Sequence, residues 1–283
     1  MKKVVQQGKN LSLQNFARLL YIFEKNNWPI ESVFQINPFD NFCNMLSTLE
    51  SEECDLILEL TEHFLWIRDN EYIKKFNDSF NKFINSHDLD NKKNLIICPL
   101  LPEKDFLCSK SSVALLYYIK ANISELQNEY PNFKISFIES PQAINETRID
   151  KKFLICLIDD FIGTGNTVLE ATEYFFDREY TINDIAIIAL VAMKDGIVTL
   201  KEKGYHVYAD SICSKAITDT PNERKWKRIM TTLENKIKVK SKYHFGYGQS
   251  EALVKMIRTP NNTFPIYWLY NNKNKFAPFP RSR

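Results

Sequence analysis

Between Phe153 and Thr167 the chain reads FLICLIDDFIGTGNT, and the residue types fall in an order that chemistry can use. An apolar run ends in two adjacent carboxylates, Asp159 and Asp160. Two more apolar positions follow, and then Gly163, Thr164, Gly165, Asn166 and Thr167 lead into a helical pattern. A buried parallel strand would deliver the acids to its carboxyl end, the edge at which open α/β sheets bind ligands. The turn offers backbone N–H groups, hydroxyls and a helix N-terminus, all favourable for a phosphate dianion. Carboxylates repel phosphate, so Asp159 and Asp160 suit sugar hydroxyls or Mg²⁺ instead. The pairing of the two features points to a phosphorylated sugar.

Glycine is scarce, which sharpens this reading. The 283 residues contain 7 glycines, where ordinary usage would give roughly 20. Four of them form two Gly-x-Gly clusters, Gly163/Gly165 and Gly246/Gly248. The second cluster, Phe245-Gly246-Tyr247-Gly248-Gln249-Ser250, precedes a predicted short helix over GQSEALVKMIR that ends at Arg258, before Thr259-Pro260-Asn261-Asn262. Tyr247 and Asn261 are candidates for a base pocket, and Arg258 for a second anion contact, because a planar guanidinium meets phosphate bidentately. A tight turn followed by a Pro/Asn helix stop explains the same residues equally well.

The elements that must position these groups follow from periodicity. Residues 11 to about 86 carry apolar side chains at helical spacing, among them Phe16, Leu19, Leu20 and Phe23, and later Tyr72, Ile73, Phe76, Phe80 and Phe83. The polar segment NSHDLDNKK predicts a boundary near residue 90. From residue 94, apolar runs alternate with helical patterns: strands at NLIICPLL, FKISFIE, FLICLI, IAIIALVAM and YHVYAD, and helices over SSVALLYYIKANISELQNEY, TVLEATEYFFDR and IVTLKEKG. This alternation predicts βαβ crossovers and a parallel sheet with helices on both faces, preceded by a helical N-terminal region. The domain reading is therefore 1–90 helical and 91–283 α/β, with a basic extension over 220–283. In that extension ERKWKRIMTTLENKIKV reads as a helix and PIYWLY as a strand.

The ordered run from Leu154 to Thr167 resembles the phosphoribosyl-diphosphate (PRPP) motif of type I phosphoribosyltransferases. The resemblance implies that Asp159 and Asp160 hold the ribose hydroxyls, with Mg²⁺ as cofactor, and that Gly163, Thr164, Gly165, Asn166 and Thr167 wrap the 5-phosphate. It also implies that ALVAMKDG leads to a base-contacting loop and that Lys110 and Ser111 grip pyrophosphate, although no glycine follows Lys110 as it usually does in that family. Together with KYHFGYGQSEALV and RTPNNTFPIYW, the chain resembles the phosphoribosyltransferase-like effectors of bacterial conflict systems, including anti-phage retron operons. That resemblance implies an effector enzyme, either a glycosyltransferase or a nucleotide N-glycosidase, that works on PRPP or a nucleotide. Its operon partner would be a reverse transcriptase or DNA-binding protein. A non-catalytic nucleotide-sensing or nucleic-acid-binding scaffold and a nucleobase salvage enzyme are the competing readings.

Composition excludes several classes. With 44% hydrophobic and 25% charged residues the chain is neither disordered nor collagenous. Its longest uncharged apolar run, Ile185 to Met193, falls far short of the roughly 20 residues of a membrane span. The N-terminus has no apolar leader and the six cysteines form no C-x-x-C pair, so a cytoplasmic location with reduced thiols is expected. The net charge of +2 conceals an uneven spread, since residues 220–283 carry 14 Lys and Arg against 3 Asp and Glu. Lys225, Lys227, Arg228, Lys236, Lys238, Lys240 and Lys242 could contact nucleic acid, a polyphosphate metabolite or an acidic partner, or form a solvated helix face. Oligomerisation is open on the sequence.

Overall fold

The computed structural model describes residues 11–31, 37–89, 93–108, 110–145 and 153–281. In chain order the elements are α1 (Leu13–Lys25), α2 (Pro38–Leu46), α3 (Ser51–Glu62), β1 (Leu65–Trp66), α4 (Tyr72–Ser86), β2 (Asn94–Pro99), α5 (Ser111–Ala121), α6 (Ile123–Glu129) and β3 (Lys134–Phe137). They continue with β4 (Phe153–Ile162), α7 (Asn166–Phe176), β5 (Ile185–Met193), α8 (Lys194–Glu202), β6 (Val207–Cys213), α9 (Glu223–Lys236), β7 (Val254–Lys255) and α10 (Pro265–Trp268). The chain divides into two compact units, one made of Met1–Trp66 and Lys215–Arg283, the other of Ile67–Ser214. The expected boundary near residue 90 falls inside the second unit, because α4 packs on its sheet.

The second unit is a five-stranded, wholly parallel sheet of order β3-β2-β4-β5-β6. Its central strands are apolar on both faces, and all nine residues of β5 are buried, as a sheet covered on both sides requires. Ile155, Leu157 and Ile187 share a core with Val168, Ala171 and Phe175 of α7 and Leu200 of α8. The crossovers β4-α7-β5 and β5-α8-β6 run one way along the sheet and β2-α5-α6-β3 runs the other, so right-handed connections place the two sets of helices on opposite faces. On the α5 face α4 is pinned by polar bonds as well as apolar ones. Ser79 Oγ donates to the Ala189 carbonyl at 2.7 Å, and Lys75 Nζ lies 2.7 Å from Asp210 Oδ2. The predicted helix over 111–130 is broken at Asn122, whose side chain donates back to the Tyr118 carbonyl at 2.9 Å and competes with the backbone ladder.

The first unit joins both ends of the chain. Leu19, Phe23, Phe42 and Leu58 share one core with Trp226, Met230, Leu233, Phe264, Tyr267 and Phe279. Two elements here differ from expectation. Most of GQSEALVKMIR forms no α-helix: Gly248, Gln249 and Glu251 have positive φ, and Val254–Lys255 pairs in parallel with Leu65–Trp66. PIYW is helical, started by Pro265, whose fixed φ and missing N–H suit a first turn. Part of the basic surplus of 220–283 is answered at home: Lys225 and Arg228 lie 3.5 and 3.8 Å from Glu52, Lys227 lies 2.7 Å from Glu223, and Lys236 pairs with Glu53. Among the described residues no helix is long and apolar enough to cross a membrane. All six cysteines are free, and Cys54, Cys98 and Cys156 are buried.

Candidate functional site

The sheet changes direction between β2 and β4. The chain leaves β2 toward β3 on one side and leaves β4 toward β5 on the other, which opens a crevice at the carboxyl ends of β2 and β4. Register fixes what stands there. The last pair between these strands is Pro99 with Ile158, so Asp159 and Asp160 extend past the end of β2. Asp159 remains backed by Ala189 of β5.

Each acid is met by a hydroxyl from a different helix. Ser111, the first residue of α5, donates to Asp159 Oδ1 at 3.2 Å, and Tyr72, the first residue of α4, donates to Asp160 Oδ2 at 3.1 Å. The Asp160 N–H also donates to Asp159 Oδ1 at 2.9 Å. Asp160 is 4% exposed, and Asp159 is half-buried. Burial, then repulsion from Asp160, raises Asp159 well above the ordinary carboxylate range. Burial likewise raises Asp160, opposed by hydrogen bonds from Ser111 and Tyr72. The pair therefore favours a ligand that brings hydroxyl donors or a cation to it.

The glycine loop follows at once. Gly165 caps α7 with φ +86° in the left-handed region, and a Cβ there would meet Leu200 Cγ at 2.9 Å. Thr164 Oγ1 accepts the Asn166 N–H at 3.4 Å, while Asn166 and Thr167 are exposed on the first turn of α7. First-turn N–H groups have no partner inside a helix and carry its positive pole, which suits an anion. The loop is backed by α8, where Gly196 sits so close that a Cβ would fall 2.1 Å from the Gly163 carbonyl oxygen. No loop intervenes between β5 and α8, so the expected base-contacting loop after ALVAMKDG is replaced by a helix that supports the 163–167 turn.

Of the residues singled out from the sequence, the structure brings together Ser111, Asp159, Asp160 and the 163–167 turn. Lys110 caps α5 but lies 3.1 Å from Asp105 Oδ1. Tyr247, Arg258 and Asn261 belong to the first unit, where the Asn261 carbonyl accepts the Tyr247 N–H at 2.8 Å. Tyr72 and Gly196 were missed. Tyr72 is the one phenol in the otherwise Phe-rich buried stripe of α4, and a buried phenol needs a partner. Gly196 is a helical glycine, which costs about 1 kcal/mol relative to Ala without a packing reason.

A metal is a matter of charge count. Among the described residues no group of three or more His, Cys, Asp or Glu side chains could hold one. Two carboxylates fit a Mg²⁺ that keeps water and ligand oxygens in its shell, the usual way this ion is held.

Residues 40–281 match the PRTase-CE family. Among solved structures, the crystal structure of orotate phosphoribosyltransferase from Aeropyrum pernix is similar at 12% identity, with 59% of this chain and 77% of that chain covered and a TM-score of 0.31. No curated protein matches the chain.

Proposed function

Because the chain belongs to the PRTase-CE family, and is thereby phosphoribosyltransferase-like, we propose that it binds the ribose 5-phosphate of PRPP or of a nucleotide and acts at the anomeric carbon. The observation that carries this reading is the carboxylate pair at the switch point with a left-handed glycine turn and a helix N-terminus directly after it. Asp159 and Asp160 accept the ribose hydroxyls, and the 163–167 turn takes the 5-phosphate. Mg²⁺, where bound, is held by the same two acids and supplies positive charge to the ligand's oxygens. Donors brought by the ligand lower both carboxyls toward ionisation, and their negative charge then favours an anomeric carbon that becomes oxocarbenium-like.

The pairing of Lys110 with Asp105 favours a nucleotide over PRPP, since a pyrophosphate grip would have to break that contact first. With a nucleotide, water adds to the anomeric carbon as the C–N bond breaks. Its proton passes to the departing base, leaving ribose 5-phosphate and the free base. The resemblance to conflict-system effectors supports a setting in a retron-type anti-phage operon, in the cytoplasm, where such cleavage depletes nucleotides. The purified protein should release adenine from AMP, or pyrophosphate from PRPP with an acceptor, by chromatography. Asp159→Asn with Asp160→Asn should lower that rate at least 10²-fold with an unchanged circular dichroism spectrum. An undiminished rate in the double variant would sink the assignment, and ligand binding without turnover in the wild type would favour the sensing scaffold.

A further inference from the structure

Two lysine-bearing segments of the first unit are held side by side. Lys238, Lys240 and Lys242 follow α9, and Lys273 and Lys275 lie in the turn after α10. Asn271 Nδ2 donates to the Ile237 carbonyl at 2.9 Å, which ties that turn to the end of α9. Tyr243, from the first segment, stands edge-on to Trp268 at 5.5 Å. The turn is firm in itself: Asn271 Oδ1 accepts the Lys273 and Asn274 N–H groups at 2.7 and 2.9 Å, and the buried Asn274 amide donates to the Ile266 and Leu269 carbonyls at 3.1 and 2.9 Å. All five lysines are exposed. Among the described residues none of the five is in an ion pair, whereas Lys225, Lys227 and Lys236 of α9 each have a carboxylate. Between Lys236 and Arg281 the only acid in the sequence is Glu251, which is buried.

An aromatic ring adjoins these charges, on a backbone that ordinary side chains avoid. Tyr247 is 38% exposed, and its ring centroid lies 6.3 Å from that of Tyr243, over which Lys242 Nζ stands at 4.9 Å. Phe245, Gly246, Gly248, Gln249 and Glu251 have φ of 57°, 79°, 65°, 53° and 49°, so five positive values fall within seven residues and three belong to non-glycine residues. Backbone of this kind persists only where its surroundings over-determine it, and it concentrates at ligand sites. Here the fully buried Glu234 carboxylate accepts the Phe245 N–H at 2.9 and 3.1 Å. Asn262 Nδ2 donates to the Tyr247 carbonyl at 3.1 Å and to Ser250 Oγ at 2.8 Å. The buried Glu251 carboxylate accepts the Ile217 and Thr218 N–H groups at 2.8 and 2.7 Å. Gly246 lies so near the next segment that a Cβ would fall 1.9 Å from the Asn262 carbonyl oxygen. Tyr247 is thereby presented on a fixed loop beside Tyr243 and Lys242.

We propose that this face binds single-stranded nucleic acid, with Lys238, Lys240, Lys242, Lys273 and Lys275 on its phosphates and a base stacked on Tyr247. Lysine carries a hydrated point charge on a flexible stem, which follows an irregular strand of phosphates. Exposed lysines spread over two segments suit a chain of phosphates more than one compact anion. A tyrosine ring accepts any base, because every base has a π-face, and a duplex keeps those faces stacked inside. The face lies wholly within the first unit and does not rest on the reading of Asp159 and Asp160. Phosphates and bases of this kind occur in both DNA and RNA.

Fluorescence anisotropy of labelled dT and U dodecamers with the full chain tests the face. Affinity should fall about 10²-fold between about 50 and 200 mM salt, as five phosphate contacts on a single strand require. Lys273→Ala with Lys275→Ala should weaken binding several-fold and make the salt slope shallower by about 1.4, and Lys240→Ala with Lys242→Ala should do the same. Tyr247→Ala should weaken binding about 5-fold or more with the slope unchanged, and Tyr247→Phe, which keeps the ring, should bind as the wild type does. Lys225→Ala with Lys227→Ala, which removes lysines that already have partners, should leave the affinity unchanged. All the substituted side chains that carry the proposal are exposed, so these variants should fold. The tighter of the two strands identifies DNA or RNA as the source. A wild type that binds neither strand, or a duplex bound as tightly as the strand, would overturn the proposal. So would lysine or Tyr247→Ala variants that bind as the wild type does, or an equal loss on removing Lys225 and Lys227. Phosphatidylserine vesicles that displace the label as well as unlabelled strand does would also overturn it, by assigning the face to a membrane surface. Turnover by the Asp159/Asp160 site is read separately, so loss of either proposal leaves the other standing.

Discussion

Asp159 and Asp160 concentrate unfavourable charge where the chain could have buried a neutral strand end. Both carboxyls are raised in the folded protein, by burial first. A carboxyl raised on folding leaves stability intact below the unfolded pKa near 4 and removes it as pH climbs through the folded value. Asp159→Asn should therefore raise the melting temperature at pH 7 by about 3 °C or more. Thermal melts should show the gain vanishing near pH 3, where the wild-type carboxyl is protonated in both states; a gain constant with pH would contradict the linkage. Tyr72 acts on Asp160 in the opposite sense, because its hydroxyl favours the ionised form. Tyr72→Phe should cost about 1 kcal/mol and raise Asp160 further, so the acid limb of the activity profile moves to higher pH. An unmoved limb would mean that the hydroxyl only packs. Both acids were legible from sequence as a strand-end pair, whereas Tyr72 was not: it stands 88 residues upstream in a stripe that periodicity assigns to core.

At the scale of elements, the 163–167 turn is shaped by a helix that follows it in sequence. Propensity alone says that Gly196→Ala should stabilise α8 by about 1 kcal/mol. The contact with Gly163 opposes this, since 2.1 Å is far inside any Cβ–oxygen approach. Sterics should win, and Gly196→Ala should destabilise the protein by about 2–4 kcal/mol in urea melts and weaken phosphate-bearing ligands. A neutral or stabilising result would mean that the turn can shift freely. The α/β half of the chain was readable because buried parallel strands are long and apolar throughout. The segment after Gly248 was not, because periodicity is blind to tertiary bonds: hydrogen bonds accepted by the Glu251 carboxylate and donated by the Asn262 amide hold left-handed backbone that propensity would count against. PIYW went the other way, as four residues carry too little period to separate strand from helix.

For the whole molecule, the first unit is assembled from both ends of the chain. Its core needs Trp226, Met230, Leu233, Tyr267 and Phe279 from the C-terminal segment as much as Phe23, Phe42 and Leu58 from the N-terminal one. A chain ending at Ser214 should leave α1, α2 and α3 without that partner surface, and trypsin should cut within residues 11–66 far faster than in the full chain. Equal protection on gels would show that the N-terminal helices fold alone. Charge obeys the same logic. The acidic first 66 residues and the basic last 64 look like separate tendencies along the sequence, yet Glu52 and Glu53 meet Lys225, Arg228 and Lys236 across the core they share.

The sequence by itself determined the parallel α/β sheet, the carboxylate pair in the carboxyl-terminal part of a strand and the glycine turn after it, because these depend on residues adjacent in the chain. Only the tertiary structure decided that Ser111 and Tyr72 meet those acids, that Gly196 supports the turn, and that the chain's two ends form one unit. Each of these is a contact between residues distant in sequence. A one-dimensional pattern records which groups are available, and packing and burial select which of them meet.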